Sequence, residues 1–199
     1  PACDNIVSEG MKITTNSKRV RAACRANLHL IMSEHHADCT HCARNLNCQL
    51  QKLASDFDIL RSRYPDDLGL TIYEKWNPHF PLIRDSSKCI KCMRCIQVCD
   101  KVQSMKVWDL VGTGSRTRIG VARNFSIEQS DCTLCGQCIV HCPVGALREH
   151  DEISKLIYAV EKPDLVTVVQ TAPAVRTAWG EAFGLSEKEA TVNKLAACF

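Results

Sequence analysis

Apolar residues at Val20, Cys24, Leu28 and Ile31 recur at helical spacing and predict an amphipathic helix over residues 17–34, with Ser17 as its N-cap. That stripe places Cys24 among packed side chains as a small hydrophobe. Upstream, a turn at Gly10 followed by MKITT predicts a short strand, so residues 1–16 read as the end of a small β unit. CQLQKLASDF predicts a second short helix. PDDLGL and WNPHFP then form a Pro-containing connection to about residue 84, which carries a domain boundary. A polar helical stretch is predicted from Asp151, and the β-branched run LVTVV (165–169) reads as a strand buried on both faces. A Pro-initiated helix, PAVRTAWGEAF, follows. SEKEATVNKLAACF begins as a helix with a capping box from Ser186 and Glu189, and its stripe Val192, Leu195, Ala196, Phe199 is still running at the last residue. With Pro1 at the other end, this pattern predicts an excerpt of a longer protein, in which the lack of a signal peptide says nothing about location.

The chain has 199 residues, 45% of them hydrophobic, which is ordinary for a protein with a packed core. Cysteine is not ordinary: there are 14, and all but Cys3, Cys24 and Cys198 fall in three runs. A disulfide framework suits short secreted chains, whereas C-x-x-C pairs point to metal or redox chemistry. The formal charge of +3 counts thiols as neutral, so ligated thiolates make the loaded protein more acidic. Lysines and arginines are scattered without a basic stripe, which excludes a nucleic-acid surface, and no apolar stretch is long enough to cross a bilayer.

Two of the runs, CIKCMRCIQVC (89–99) and CTLCGQCIVHC (132–142), have identical spacing and form an internal repeat. C-x2-C-x2-C-x3-C is the bacterial-ferredoxin pattern for a cubane 4Fe-4S cluster, whose fourth cysteine ligates the partner cluster in two-cluster proteins. The ligand sets are therefore Cys89, Cys92, Cys95 with Cys142, and Cys132, Cys135, Cys138 with Cys99. Zinc fits poorly, because its tetrahedral sites usually take two ligands from each of two separated knuckles. Asp100, rather than Pro, follows Cys99, a departure that leaves the spacing intact. Between the copies, VGTGSRTRIG lacks a third glycine and a Lys-Ser/Thr pair, so it reads as a hairpin turn and not a phosphate loop.

The third run, HHADCTHCARNLNC (35–48), supplies Cys39, Cys42 and Cys48 as three ligands. The fourth is a neutral imidazole, from His35 or His36, or a sulfur from elsewhere. Imidazole in place of thiolate removes one negative charge, and a less negative shell raises the reduction potential. His29, His41, His79, His141 and His150 read as surface or satisfied core residues.

The arrangement H-x3-C-x2-C-x5-C of His35, Cys39, Cys42 and Cys48, then a two-cluster ferredoxin unit, then TAPAVRTAWGEAFG, resembles the accessory half of FeFe hydrogenases. The likeness is strongest to the catalytic subunit of the NAD(P)-linked, electron-bifurcating type. It implies His35 rather than His36 as the ligand, and Cys3 as the last ligand of a plant-type 2Fe-2S domain whose other ligands lie upstream. It implies an α+β architecture: residues 1–16 end the 2Fe-2S β-grasp domain and 17–77 form a small helical His-Cys3 domain. Residues 78–160 form the two-cluster ferredoxin domain, and 161–199 start the hydrogenase domain with its first βα unit. The H-cluster ligands of that family lie downstream, so no residue here is catalytic. Three 4Fe-4S clusters would pass electrons between the H-cluster and partners: an NAD(P)H-oxidising flavin and iron–sulfur subunit, ferredoxin, and a small 2Fe-2S subunit. The expectation is a hetero-oligomer in the cytoplasm, with no nucleic acid and no membrane span. Alternatives are the relay of a formate dehydrogenase or a complex-I-like NADH oxidoreductase, or a stand-alone polyferredoxin.

Overall fold

A computed structural model describes residues 5–64 and 76–198, and the chain divides into two compact units, Pro1–His150 and Asp151–Phe199. In the first unit, α1 (Lys18–Glu34) starts where the sequence predicts, with the Ser17 hydroxyl accepting a hydrogen bond from the Val20 amide. Helix α2 (Gln49–Asp56) begins directly after Cys48. The two helices are tied by the Arg21 guanidinium 5.0 Å over the Phe57 ring and by Arg25 donating to the Asp58 carbonyl at 3.3 Å. Leu28, Leu50, Ala54 and Ile59 are buried between them. His29 is buried too, a core histidine satisfied on one side only: its Nδ1 accepts from the Arg63 amide at 3.3 Å, while its Nε2 is shielded from solvent and has no hydrogen-bond partner among the described residues. Cys24 departs from the expectation: it is exposed, because only the C-terminal half of α1 is covered.

The repeat folds around two antiparallel strand pairs. β1 (Leu82–Arg84) pairs with β4 (Leu147–Glu149), and β2 (Trp108–Val111) with β3 (Arg118–Val121). The second pair is the hairpin read from VGTGSRTRIG. The first cysteine run lies between β1 and β2 and the second between β3 and β4, and each carries a short helix, α3 (Arg94–Gln97) or α4 (Gln137–His141). Helix α3 widens into a π turn over Val98–Val102, which carries Cys99. Such turns insert a residue and re-aim a side chain, and they recur at functional sites. Val107, Trp108, Ile119, Ile127, Val144 and Leu147 fill the core between the strands and helices. Trp76 extends it, stacked on Trp108 with centroids 6.1 Å apart and donating from Nε1 to the Leu82 carbonyl at 2.7 Å.

Residues 11–15 and 165–169 are not strands. Both runs have β propensity, but a strand exists only when another pairs with it, and neither finds a partner among the described residues. Val166 and Val168 are accordingly exposed. The second unit is helical: α5 (Ile153–Val160), α6 (Pro173–Ala182), which starts at proline as expected, and α7 (Val192–Ala196). The Ser186–Glu189 capping contact forms, with the Ser186 amide 3.0 Å from Glu189 Oε2. It closes only a turn, and the helix starts later, capped by Thr191. Trp179, Gly180 and Leu195 are the buried residues among those described in this unit. No helix among the described residues is long and apolar enough to cross a membrane.

Candidate iron–sulfur centre

The two repeated runs bend in the same way. Lys91 and Met93 in the first have φ of 54° and 60°, and Leu134 and Gly136, at the same places in the second, have 56° and 73°. Two left-handed residues per loop curl the chain so that three cysteine side chains face one hollow. Cys89, Cys92 and Cys95 surround a cavity completed by Cys142, and Cys132, Cys135 and Cys138 surround another completed by Cys99. The fourth cysteine of each run thus faces the other run's cavity. The linings are otherwise mostly apolar: Ile90, Ile119 and Val144 in the first, Leu82, Val107 and Ile139 in the second. Trp108 lines both.

Among the described residues, no three His, Cys, Asp or Glu side chains converge tightly enough for one metal ion. Tetrahedral zinc, with Zn–S bonds of about 2.3 Å, draws its sulfurs to within about 3.8 Å of each other. Here the thiols stand around a hollow, which suits ligands to separate corners of a cube. The donor set therefore fits four-iron clusters.

Burial raises the Cys39 and Cys89 thiols above their ordinary range, and pushes Cys95 up to about 12 and Cys138 up to about 11. Neighbouring thiols of the same set add to the rise; at Cys138 a hydrogen bond from Trp108 opposes it. Without metal these sulfurs stay protonated, and ligation by iron must displace the protons. Donors already face the sulfurs. The backbone N–H of Lys91 donates to Cys89, that of Ile96 to Cys95, and that of Val107 to Cys99 at 3.4 Å.

At the third run, α1 ends at His35, whose extended backbone turns the chain toward the repeat. The Cys42 amide bonds to the Cys39 carbonyl at 3.2 Å, closing a turn, and Cys48 opens α2. The Cys39 thiol lies close enough to those of Cys48 and Cys42 to feel both. Nδ1 of His35 is 3.0 Å from the Lys88 carbonyl, which can only accept, so Nδ1 carries the proton and Nε2 keeps its lone pair. Burial lowers the His35 pKa, outweighing that hydrogen bond, and keeps the ring neutral. His36 is exposed and contributes its backbone N–H to the Ser87 carbonyl at 2.9 Å. His41 pairs with Asp38 on the surface, 3.0 Å apart.

This region is moored to both repeated runs. Arg44 donates to the Ile139 carbonyl at 2.9 Å, the Gln49 amide to Pro143 at 3.3 Å, and Lys91 pairs with Glu34 at 2.8 Å. Gly145 lies against Cys42: a Cβ there would stand 2.5 Å from Sγ. Sequence reasoning missed Gly145, Arg84 and Trp108, although a glycine three residues after Cys142 is a usable sign of close backbone approach. Cys3 lies outside the described residues, and Cys198 is exposed, its thiol bonded to the Lys194 carbonyl at 3.2 Å.

Residues 25–63 match the NADH-ubiquinone oxidoreductase-G iron-sulfur binding region, and residues 88–146 the 4Fe-4S dicluster domain. The chain is 40% identical over 99% of its length to an NADP-reducing hydrogenase subunit of Solidesulfovibrio fructosivorans, covering 33% of that protein. It is 31% identical over 92% of its length to iron hydrogenase 1 of Clostridium pasteurianum, covering 32% of it. The chain thus spans about a third of the length of these curated relatives. A crystal structure of an NAD+-reducing [NiFe]-hydrogenase in the H2-reduced state shares its fold, with a TM-score of 0.66 at 20% identity over 74% of this chain and 62% of that one. Along nearly its whole length, then, the chain is related to hydrogenase subunits of the NADP-reducing and iron-hydrogenase kinds, and the two regions matched within it are iron–sulfur binding domains.

Proposed function

We propose that the chain is the electron-relay portion of an FeFe hydrogenase subunit, holding three 4Fe-4S clusters. The ligand sets are His35, Cys39, Cys42 and Cys48; Cys89, Cys92, Cys95 and Cys142; and Cys132, Cys135, Cys138 and Cys99. The observation that carries this reading is the grouping of the repeated cysteines around two hollows, each completed by a sulfur from the other run, beside a histidine with a free Nε2. Bound clusters supply one-electron storage, while the protein positions and tunes them. Cysteine thiolates and the His35 imidazole hold the metal, apolar neighbours exclude water, and the N–H groups on Cys89, Cys95 and Cys99 stabilise the more negative, reduced state.

On this reading residues 17–77 form the His-Cys3 domain and 78–160 the two-cluster domain. Residues 1–16 finish a β-grasp 2Fe-2S domain through Cys3, and 161–199 begin the domain that holds the H-cluster. The relay joins an NAD(P)H-oxidising flavin subunit, a small 2Fe-2S subunit or ferredoxin to that centre, in a hetero-oligomer. The relatives at 40% and 31% identity, an NADP-reducing hydrogenase subunit and an iron hydrogenase, support the hydrogenase setting. The test is to expose the full-length protein containing this chain to hydrogen and follow its clusters by EPR. Reduction by hydrogen, and not by formate, is the expected result; reduction by formate alone, or by neither, refutes the reading.

A further inference from the structure

Granting that reading, we propose that Trp108, whose ring walls both cavities, serves only one of them with its indole N–H, which donates to Cys138 and raises the reduction potential of the Cys132/Cys135/Cys138/Cys99 site. The repeat makes the comparison direct. Trp108 opens β2, the strand after the first cysteine run, and faces Val121; Leu147 opens β4, the strand after the second run, and faces Arg84. Trp108 and Leu147 are therefore counterparts. Leu147 lines the first cavity with a side chain that has no polar atom, so at this position only Trp108 brings a donor.

Indole has a single polar atom, Nε1, and it can only donate. The side chain of Trp108 is hydrogen-bonded to Cys138, so the bond runs from N–H to sulfur. The residue is 3% exposed, which keeps water from competing for that N–H. Its neighbour acts on the same set: the backbone N–H of Val107 donates to Cys99 at 3.4 Å. Two consecutive residues thus reach two sulfurs of one cavity. The ring is also held on its face. Trp76 stacks on it with centroids 6.1 Å apart and planes 9° from parallel, and is itself fixed by its Nε1 on the Leu82 carbonyl at 2.7 Å. The Arg84 guanidinium lies 5.6 Å over the ring. Both are contacts of the aromatic face, which a phenylalanine also offers.

Each one-electron reduction adds one negative charge to a four-thiolate cluster, and part of that charge falls on the ligand sulfurs. An N–H aimed at one of them binds the reduced form more strongly than the oxidised form. Removing the N–H lowers that couple. The other couple, whose sulfurs this one donor does not serve, stays where it is.

The experiment is an EPR-monitored redox titration of the anaerobically reconstituted full chain and its Trp108→Phe variant. Trp108→Phe is expected to lower one cubane couple about tenfold in reduction equilibrium constant, about 59 mV for one electron, with the other unmoved. The couple that moves should be the one that Cys99→Ala loses. If Trp108→Phe does not hold its full iron, β-(3-benzothienyl)alanine incorporated at position 108 takes its place, since it keeps the fused rings and carries sulfur instead of N–H. Full clusters with unmoved midpoints, or movement of a couple that Cys99→Ala leaves in place, overturns this inference alone. Equal movement of both couples overturns it too, because that is the mark of a residue that only packs. A wild-type chain that builds no cubanes overturns the relay reading itself.

Discussion

Gly145→Ala isolates the seam between the His35 region and the two-cluster repeat. The added methyl would sit 2.5 Å from Cys42 Sγ, about 0.9 Å short of the 3.4 Å at which ordinary contact begins. The backbone there follows Cys142 and Pro143, and Ala146 and Leu147 beyond it are buried, so the glycine side has little room to yield. Cys42 must move instead. Ligand distances in metal sites hold within about 0.2 Å, so a displacement of this size takes Cys42 out of its place. Overpacking of this kind costs about 1–3 kcal/mol even without a metal. We predict that Gly145→Ala loses or converts the cluster of Cys39, Cys42 and Cys48, about a third of the iron, while both cubanes of the repeat survive. Iron analysis and EPR on the anaerobically reconstituted chain check it. Full iron with an unchanged spectrum would show that Cys42 is not held against Gly145 as a ligand, and the reasoning fails.

The imidazole ligand is tested by His35→Ala, which should change or remove one cluster and leave two, whereas His36→Ala should leave all three spectra alone. Cys142→Ala should damage the site shared with Cys89, Cys92 and Cys95, and Cys99→Ala the other; damage following the run instead of the crossing would show in the EPR of each variant. Ser17→Ala removes the hydroxyl that caps α1 at the Val20 amide, which should cost about 1 kcal/mol by chemical denaturation and leave the iron content unchanged.

Much of this could be read without coordinates, because the constraint was local. Cysteine spacing dictates loop shape, and Ser17, Pro173 and the Ser186–Glu189 pair act within a few residues of themselves. What the residue pattern misjudged depends on distant partners. LVTVV has the composition of a buried strand but finds nothing to pair with, and MKITT fails for the same reason. Cys24 sits on the apolar stripe of α1 at a height that no neighbour covers. At the site, the cysteines were legible, but Arg84, Trp108 and Gly145 were not. Their importance arises where β1, β2 and the turn after Cys142 meet the cavities, a matter of topology rather than spacing.

The most direct measurement of the central claim is iron, sulfide and zinc analysis of the chain reconstituted under anaerobic conditions, joined to Mössbauer spectra. The account predicts about twelve irons as three four-iron clusters, with no zinc. Zinc in the cysteine sites, or an iron count that stops at about eight while His35, Cys39, Cys42 and Cys48 stay empty, would contradict it.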